Sequence, residues 1–289
     1  MKKNCLAAGL FLLAAVLLAQ HAYAQNVSDF EIIGNDDGSM TIINYKGMAK
    51  DIVIPDRIFN MPVTRIRGGA FSKKGLTSVT IPKTVSYIGD RAFSENQLAS
   101  VVIPEPVEYI GNDAFNSNKL SEITIPKNVL TIGYGAFRNN NLTSAVIPDS
   151  VTYIGNHAFA NNNITRAVVG NGVVFIGSNS FCGDSYEENK ITEITLGAGI
   201  KYIGPNAFRF HYATSVVIPK NVAFIGYNAF RPENENSLVN ITIGKYVMFG
   251  VNNDEGAFHN NADFDTIYQN NDKKAGKYTY ADGSWSYKE

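Results

Sequence analysis

Cysteine is scarce in this chain of 289 residues, which contains only Cys5 and Cys182. Cys5 lies beside an apolar N-terminal segment that we expect to be removed, so one thiol remains and no intramolecular disulfide can form. This excludes a disulfide-stabilised scaffold, and stability has to come from packing. We interpret Cys182 as a small residue in a turn rather than a nucleophile, because no histidine accompanies it in a recognisable motif.

Charge is also scarce, since 18% of the residues are charged and the formal net charge is −1. Removal of residues 1–24 takes two lysines and no acid from the 25 basic and 26 acidic residues, which leaves a formal charge of −3. This balance does not favour nucleic acid or an anionic membrane surface as a partner.

Long apolar runs are absent after residue 24. The one run, Leu6 to Ala19, follows Lys2 and Lys3 and precedes Ala22-Tyr23-Ala24, which is the pattern of a signal peptide cleaved before Gln25. It is too short to cross a membrane stably, although an N-terminal anchor remains the alternative. We therefore expect residues 1–24 to be a signal peptide and the mature chain to be exported, as a secreted, cell-surface or periplasmic protein without a transmembrane segment.

What the chain does contain is a repeat with a period of 22 residues. Phenylalanines spaced at this period mark it at Phe71, Phe93, Phe115, Phe137, Phe159 and Phe181. A fixed period of this length predicts a solenoid, in which each coil buries its apolar face only against its neighbours. We expect the solenoid to span residues 51–260, with hairpin-like caps over residues 25–50 and 261–289.

Each coil has a recurring set of structural residues. In one coil Val101 and Ile103 alternate inward on a short strand, and Pro104 ends it. We expect the glycine after each repeated isoleucine to adopt a positive φ, the phenylalanines to stack as a spine, and a recurring asparagine to hydrogen-bond turns in the coils above and below. The glycines are Gly89, Gly111, Gly133, Gly155, Gly177, Gly204 and Gly226, and the asparagines are Asn96, Asn118, Asn140, Asn162, Asn189 and Asn236. His211 and Lys74 replace the asparagine in two coils, where we expect a weaker ladder.

The repeat beginning at Leu98, with the pattern L-x-x-V-x-I-P-x-x-V-x-x-I-G-x-x-A-F-x-x-N-x, closely resembles the BspA-like, or Treponema pallidum-type, class of bacterial leucine-rich repeats. The match runs from about Ile52 to Phe258. The resemblance implies a right-handed, mainly β solenoid of short parallel strands and turns. It also implies a surface-exposed or secreted protein of a host-associated bacterium with a binding or adhesin-like role. It supplies no catalytic residue, metal site or cofactor.

Two rows of outward side chains are candidate binding surfaces. The first, which we call the strand face, lies on the strand that opens each coil and consists of Thr80, Val102, Thr124, Val146, Val168, Thr195, Val217 and Thr242, flanked by residues that include Arg166 and Glu193. A flat, uncharged platform for a protein partner and simple strand propensity are both open readings.

The second, which we call the aromatic row, consists of Tyr87, Tyr109, Tyr153, Phe175, Tyr202 and Phe224, interrupted by Thr131. Because the isoleucine that follows each member points inward, the rings should point outward. We favour cross-coil stacking as their role, with an adhesive patch or sugar platform as the alternative.

Two insertions with acidic residues, at 183–188 and 232–235, break the period. They carry Asp184, Glu187, Glu188, Glu233 and Glu235, without an EF-hand-like spacing. We read them as solvated loops rather than a calcium or basic-partner site.

Three functions are compared. We favour an exported protein, a monomer in solution, that binds a protein or glycan ligand outside the cytoplasm. A self-associating envelope or biofilm-matrix component is the alternative. An enzyme is least favoured, since no catalytic or metal-ligand pattern rises above background.

Overall fold

The fold follows from a computed structural model, which describes residues 26–183, 188–235, 237–252, 255–259, 261 and 263–289. The expected signal peptide therefore lies outside the described residues, as do 184–187 of the first insertion and Asn236.

The described chain is mainly β, with one 3-10 turn at Val27–Asp29 and one α-helix, α1 (Phe264–Asn270). The strands are β1 (Phe30–Gly34), β2 (Met40–Tyr45), β3 (Asp51–Val53), β4 (Arg57–Ile58), β5 (Met61–Ile66), β6 (Ser78–Thr80), β7 (Tyr87–Ile88), β8 (Tyr109–Ile110), β9 (Thr131–Ile132), β10 (Ser144–Ile147), β11 (Tyr153–Ile154), β12 (Arg166–Val169), β13 (Phe175–Ile176), β14 (Glu193–Thr195), β15 (Tyr202–Ile203), β16 (Ser215–Val217), β17 (Phe224–Ile225), β18 (Asn240–Ile243), β19 (Met248–Phe249), β20 (Gly276–Ala281) and β21 (Ser284–Lys288).

These strands form a parallel solenoid, as the repeat predicts. One twelve-stranded sheet, the long sheet, runs in the order β1-β2-β5-β7-β8-β9-β11-β13-β15-β17-β19 with β4 beside β5, and it collects the two-residue strand of every coil. Its parallel pairs are in register, for example Tyr109 with Thr131 and Tyr153 with Thr131. Equivalent positions of successive coils therefore form columns along the molecule.

The strands that open the coils form shorter sheets: β3-β6, β10-β12-β14 and β16-β18-β20-β21. The strand expected at Val101 and Ile103 does not form, and 101–104 and 122–126 are without strand structure within the described chain. The backbone bonds there are long, since Ser121 N lies 3.4 Å from Ala99 O. The alternation of burial nevertheless holds, because Ile103 is buried and Val101 packs partly against the core.

The core is a column of stacked phenylalanines. Successive rings from Phe71 to Phe258 have centroids 4.9–5.6 Å apart and interplanar angles of 1–17°, as the repeat predicts. Tyr45 of β2 continues the column at the N-terminal end, with its ring 5.7 Å from that of Phe71.

The asparagine ladder also forms. Asn118 Nδ2 donates to Phe93 O of the preceding coil at 3.0 Å and to Phe115 O of its own coil at 3.1 Å, while Oδ1 accepts from Leu98 N at 3.1 Å. The bonds thus reach the preceding coil and the same coil, rather than the coils on both sides. His211 turns the other way, because its Nε2 lies 3.2 Å from Phe230 O of the following coil.

The prediction of a positive φ for the repeated glycines is wrong. Their role is close approach between coils, because a Cβ on Gly133 would lie 2.6 Å from the backbone nitrogen of Asn112. The positive φ occurs two residues later, at 53–58°, in every coil from Arg91 to Asn228. The residues are Arg91, Asp113, Gly135, His157, Asn179, Asn206 and Asn228.

Both expected hairpins are present at the ends. Strands β1 and β2 pair antiparallel and β2 joins β5, while β20 and β21 pair antiparallel around Asp282 and Gly283 and β20 joins β18. Trp285 packs edge-on to Phe264 of α1 with centroids 5.0 Å apart. Aromatic packing therefore closes the last coil.

Candidate binding surfaces

The strand face is exposed along most of its length. Val102 is 82% exposed, Val146 49% and Val217 63%, and Thr80, Thr124 and Thr195 are also exposed. Val168 and Thr242 are half-buried. Alternation on each strand accounts for this, because the neighbours of these residues, such as Ala145 and Ile147, point into the core.

One ion pair crosses the strand face. Arg166 Nε lies 2.9 Å from Glu193 Oε1, and the two residues are partners in the parallel pair of β12 and β14. An exposed pair of this kind contributes about 0–1 kcal/mol to stability. Its larger effect is that the two flanking charges neutralise each other, so the face remains without net charge at this point.

The aromatic row stacks on itself. The ring of Tyr87 lies 5.1 Å from that of Tyr109, and the four rings from Tyr153 to Phe224 have centroids 4.7–5.0 Å apart with interplanar angles of 4–9°. Within each run of rings the faces are therefore occupied by neighbouring rings, and the edges face solvent. This is the cross-coil stacking that the sequence favours over a continuous sugar platform.

Thr131 separates the row into two stacks. It pairs with Tyr109 on one side and Tyr153 on the other. Tyr153, the first ring after the interruption, is 41% exposed, whereas Tyr109 and the other rings are half-buried.

A groove of about 650 Å³ lies at the N-terminal end of the row, and sequence reasoning missed it. Its lining includes Asp36, Asp37, Arg65, Arg67 and Tyr87. The Arg65 guanidinium lies 5.5 Å from the centroid of the Tyr87 ring. Hydrogen bonds from Ser39 lower the pKa of Asp37. The alternation of Arg65, at the end of β5, and Arg67, just after it, is visible in the sequence, but their approach to the β1–β2 turn depends on how the cap folds back.

Two buried titratable groups lie within the coils rather than on a surface. Burial lowers the pKa of His211 to about 4, and Ala213 N donates to its Nδ1 at 3.1 Å. Burial also raises the pKa of Asp265 to about 6, although its Oδ2 accepts from Phe258 N. Both groups hydrogen-bond to the backbone of adjacent turns.

The remaining candidates from the sequence are dispersed in the described chain. Cys182 is buried in the turn after Phe181, and its Sγ donates to Gly183 O at 2.9 Å. Within the described residues, no three His, Cys, Asp or Glu side chains are grouped so that they could hold a metal ion. Glu188, Glu233 and Glu235 are described, but Asp184 and Glu187 are not, so the acidic patch is not tested as a whole.

The column of phenylalanines, the asparagine ladder and the 22-residue step together define a repeat class. The BspA type leucine rich repeat region, in six copies, matches residues 64–187 and 183–284. The chain belongs to the BspA-type leucine-rich repeat family. Members of this family are generally non-catalytic, protein-binding repeat proteins.

Solved structures similar to this BspA-type chain come from several bacteria. A leucine-rich repeat protein of Treponema pallidum has 22% identity, covering 77% of this chain and 82% of that chain with a TM-score of 0.42. One from Bacteroides ovatus has 18% identity, covering 77% and 91% with a TM-score of 0.42. A leucine rich cell surface protein of Faecalibacterium prausnitzii has 21% identity, covering 73% and 86% with a TM-score of 0.36. No curated protein matches the chain.

The described part of this BspA-type chain contains no helix that is both long and apolar enough to cross a membrane.

Proposed function

We propose that this chain is an exported binding protein, adhesin-like in function, that engages a macromolecular partner outside the cytoplasm through the strand face. The observation that carries the proposal is the exposure of Val102, Val146 and Val217, at 82%, 49% and 63%, on a nearly uncharged surface. Exposed aliphatic side chains in one column favour contact with a partner more than contact with water.

The aromatic row is the weaker candidate for this contact. Within each of its two stacks the ring faces are occupied by one another, so most of the row offers a partner edges rather than flat faces. The strand face, in contrast, consists of threonines and valines, so none of its side chains is occupied by ring stacking between coils. The paired charges of Arg166 and Glu193 keep it open to a neutral partner.

The proposal includes export and no catalytic activity. The N-terminal charge and apolar pattern of residues 1–24 supports export. The buried His211 and Asp265 hydrogen-bond to neighbouring backbone, which supports a structural role for both.

The test compares two triple variants of residues 25–289. In one, Val102, Val146 and Val217 are replaced by lysine, and in the matched control by threonine, which other coils carry at this position. Binding to immobilised host matrix proteins and to whole cells of neighbouring bacteria is measured for both, with melting temperature as the folding check. The proposal requires binding by the wild type and the threonine variant and its loss in the lysine variant; equal binding by all three overturns it.

A self-associating role is the second candidate, because the long sheet and the β16-β18-β20-β21 sheet each end on a strand with an exposed apolar residue. Ile33 of the terminal strand β1 is 56% exposed and Tyr287 of the terminal strand β21 is 37% exposed. Unpaired strand edges of this kind can pair with another chain. Sedimentation velocity over a hundredfold range of concentration decides this: growing species without any added partner support self-association, and a constant monomer rejects it.

A further inference from the structure

The interruption of the aromatic row leaves a slot with two ring walls. Thr131 lies on the rung between Tyr109 and Tyr153, and each of these tyrosines stacks on its far side, against Tyr87 and Phe175 respectively. The near faces of Tyr109 and Tyr153 therefore look toward each other across a threonine. Since a threonine side chain is much shorter than a tyrosine, the space above it is open between the two rings.

The width of the slot follows from the spacing of the rungs. The stacked rings on either side are 5.1 Å and 5.0 Å apart, close to the strand spacing. Two rungs therefore separate the ring planes of Tyr109 and Tyr153 by about 10 Å. The slot is open to solvent, because Tyr153 is 41% exposed.

The rung that carries Thr131 also has an apolar rim. Leu130 is 47% exposed and Tyr134 is 41% exposed, whereas the equivalent positions of the adjacent rungs carry Glu108 and Asn112 on one side and Thr152 and Asn156 on the other. The slot is not purely apolar, since a threonine, Thr131, lies at its floor. The Tyr109 hydroxyl is held at its edge by a hydrogen bond of 3.3 Å to Asp90 Oδ1.

These dimensions select the shape of an occupant. Carbon atoms in contact with a ring face lie about 3.5–4.0 Å from it, so a flat ring that touches both walls needs a gap of about 7–8 Å. A single flat aromatic ring is therefore too thin for a gap of about 10 Å. A puckered saturated ring with axial hydrogens on both faces is thicker and comes closer to both walls, and its polarised C–H bonds suit the negative faces of the two tyrosines.

We propose that the slot between Tyr109 and Tyr153 binds one pyranose ring of a glycan whose sugars have the gluco configuration. Only a ring with its hydroxyl groups equatorial presents C–H bonds to both walls at once. Its equatorial hydroxyls lie at the ring edge, where the Thr131 hydroxyl at the floor and the Tyr109 hydroxyl at the rim can hydrogen-bond to them. An axial hydroxyl, as in galactose, places a polar group against one ring face and leaves it without a partner.

This site lies on the long sheet and uses none of the strand-face residues, so it goes beyond the proposed function. The two proposals fail separately. Lysine substitution at Val102, Val146 and Val217 leaves the slot intact, and substitution at Thr131 leaves the strand face intact.

The test uses Thr131→Tyr, which fills the slot with the ring that other coils carry. Cellotetraose is the probe and a galactose-based tetrasaccharide the comparison, with binding measured by isothermal titration calorimetry on residues 25–289. We expect the wild type to bind cellotetraose and to bind the galactose-based probe about tenfold more weakly or not at all, since one wall then meets a hydroxyl. We expect T131Y to lose binding while its melting temperature is unchanged or raised, because the new ring completes the stack.

Two controls keep the result interpretable. Thr131→Ser retains the slot and should retain binding, and Phe224→Thr removes a ring at the far end of the row, where it stacks on Tyr202, and should lower stability without affecting binding. Failure of the wild type to bind cellotetraose at millimolar concentration, equal affinity for the two sugars, or unchanged binding by T131Y would each overturn the proposal.

Discussion

Asn140 and Phe115 belong to successive coils and are joined by a buried hydrogen bond, in which Asn140 Nδ2 donates to Phe115 O at 2.9 Å. The same amide donates to Phe137 O at 3.1 Å, and its Oδ1 accepts from Leu120 N at 3.0 Å. One side chain thus satisfies buried backbone groups of two turns. The stability of the solenoid depends on such contacts between coils as much as on its apolar core.

Replacement of Asn140 by leucine should therefore be costly. It retains the number and branching of the side-chain heavy atoms but leaves the bonded backbone groups without partners, at about 1–3 kcal/mol for each buried group, so we expect a loss of about 2–5 kcal/mol. Urea unfolding measures the change. Asn141→Ala, at the adjacent exposed position, is the control and should lie within about 0.5 kcal/mol of the wild type. Similar losses for both variants would contradict this role of the ladder.

Replacement of Phe137 by alanine tests the spine. Its ring is fully buried, 5.6 Å from that of Phe115 and 5.3 Å from that of Phe159. We expect a loss of about 3–5 kcal/mol in the free energy of unfolding, because a cavity opens inside the column. A loss below 1 kcal/mol, as for a surface ring, would be inconsistent with a continuous core.

Gly133 and Gly135 lie in the same coil and are glycine for two different reasons: close approach to the neighbouring coil at Gly133 and backbone conformation at Gly135. A Cβ on Gly133 would meet the backbone of Asn112 at 2.6 Å, whereas Gly135 has a φ of 57°, and its nearest neighbour would be the movable Asp113 carboxylate. We expect Gly133→Ala to destabilise by about 2 kcal/mol or more, since the coils would have to separate.

Gly135→Asn is the matched control, and we expect it to be nearly neutral, because asparagine tolerates the left-handed region and occupies this position in other coils. The melting temperatures of the two variants test this. A larger decrease for Gly135→Asn than for Gly133→Ala would contradict the role of Gly133 in close approach between coils.

His211 should make stability depend on pH. Its pKa is about 4 in the folded protein, because burial favours the neutral ring, and near 6.5 in the unfolded chain. Below pH 6.5 the unfolded state takes up the proton first, so the contribution of His211 to stability decreases as pH falls to about 4 and is constant below that. The total decrease is about 3 kcal/mol.

Asp265 acts in the opposite direction. Its folded pKa of about 6 lies above the ordinary value of 3.8, so the folded state takes up the proton first and gains stability as pH falls from 6 to 3.8. The free energy of unfolding, measured against pH for the wild type and for each variant, separates the two groups. We expect the wild-type value minus that of His211→Asn to fall with decreasing pH, and the wild-type value minus that of Asp265→Asn to rise. A flat His211 curve would mean that the ring is accessible to protons in the folded protein.

Most of the solenoid could be predicted from the sequence because its contacts repeat. The spacing of Phe71, Phe93 and their successors predicts the stacked column, and Asp282-Gly283 predicts the C-terminal hairpin, since each pattern specifies a local or periodic geometry. The reason for the repeated glycine could not be predicted in this way, because it lies 22 residues away, where the backbone of the preceding coil leaves no room for a Cβ.

Features that depend on a single place in the molecule could not be predicted in the same way. The β4–β5 hairpin turns at Phe59 and Asn60, with φ of 50° and 63°, and phenylalanine gives no turn signal. The N-terminal groove requires Arg65 and Arg67 to meet the turn between β1 and β2, and the sequence does not specify how closely. The exposure of the strand face and the outward row of rings did follow from alternation, but which surface binds a partner stays a prediction.

Deletion of one full period, residues 120–141, is the most direct test of the stacked-coil architecture. It joins Lys119 to Leu142 with every column in phase and brings the Tyr109 and Tyr153 rungs together. Because each coil contacts only its neighbours, we expect a shorter chain that still unfolds cooperatively, with the wild-type circular dichroism per residue. Deletion of half a period, residues 120–130, should abolish folding; the same outcome for both deletions would contradict the account.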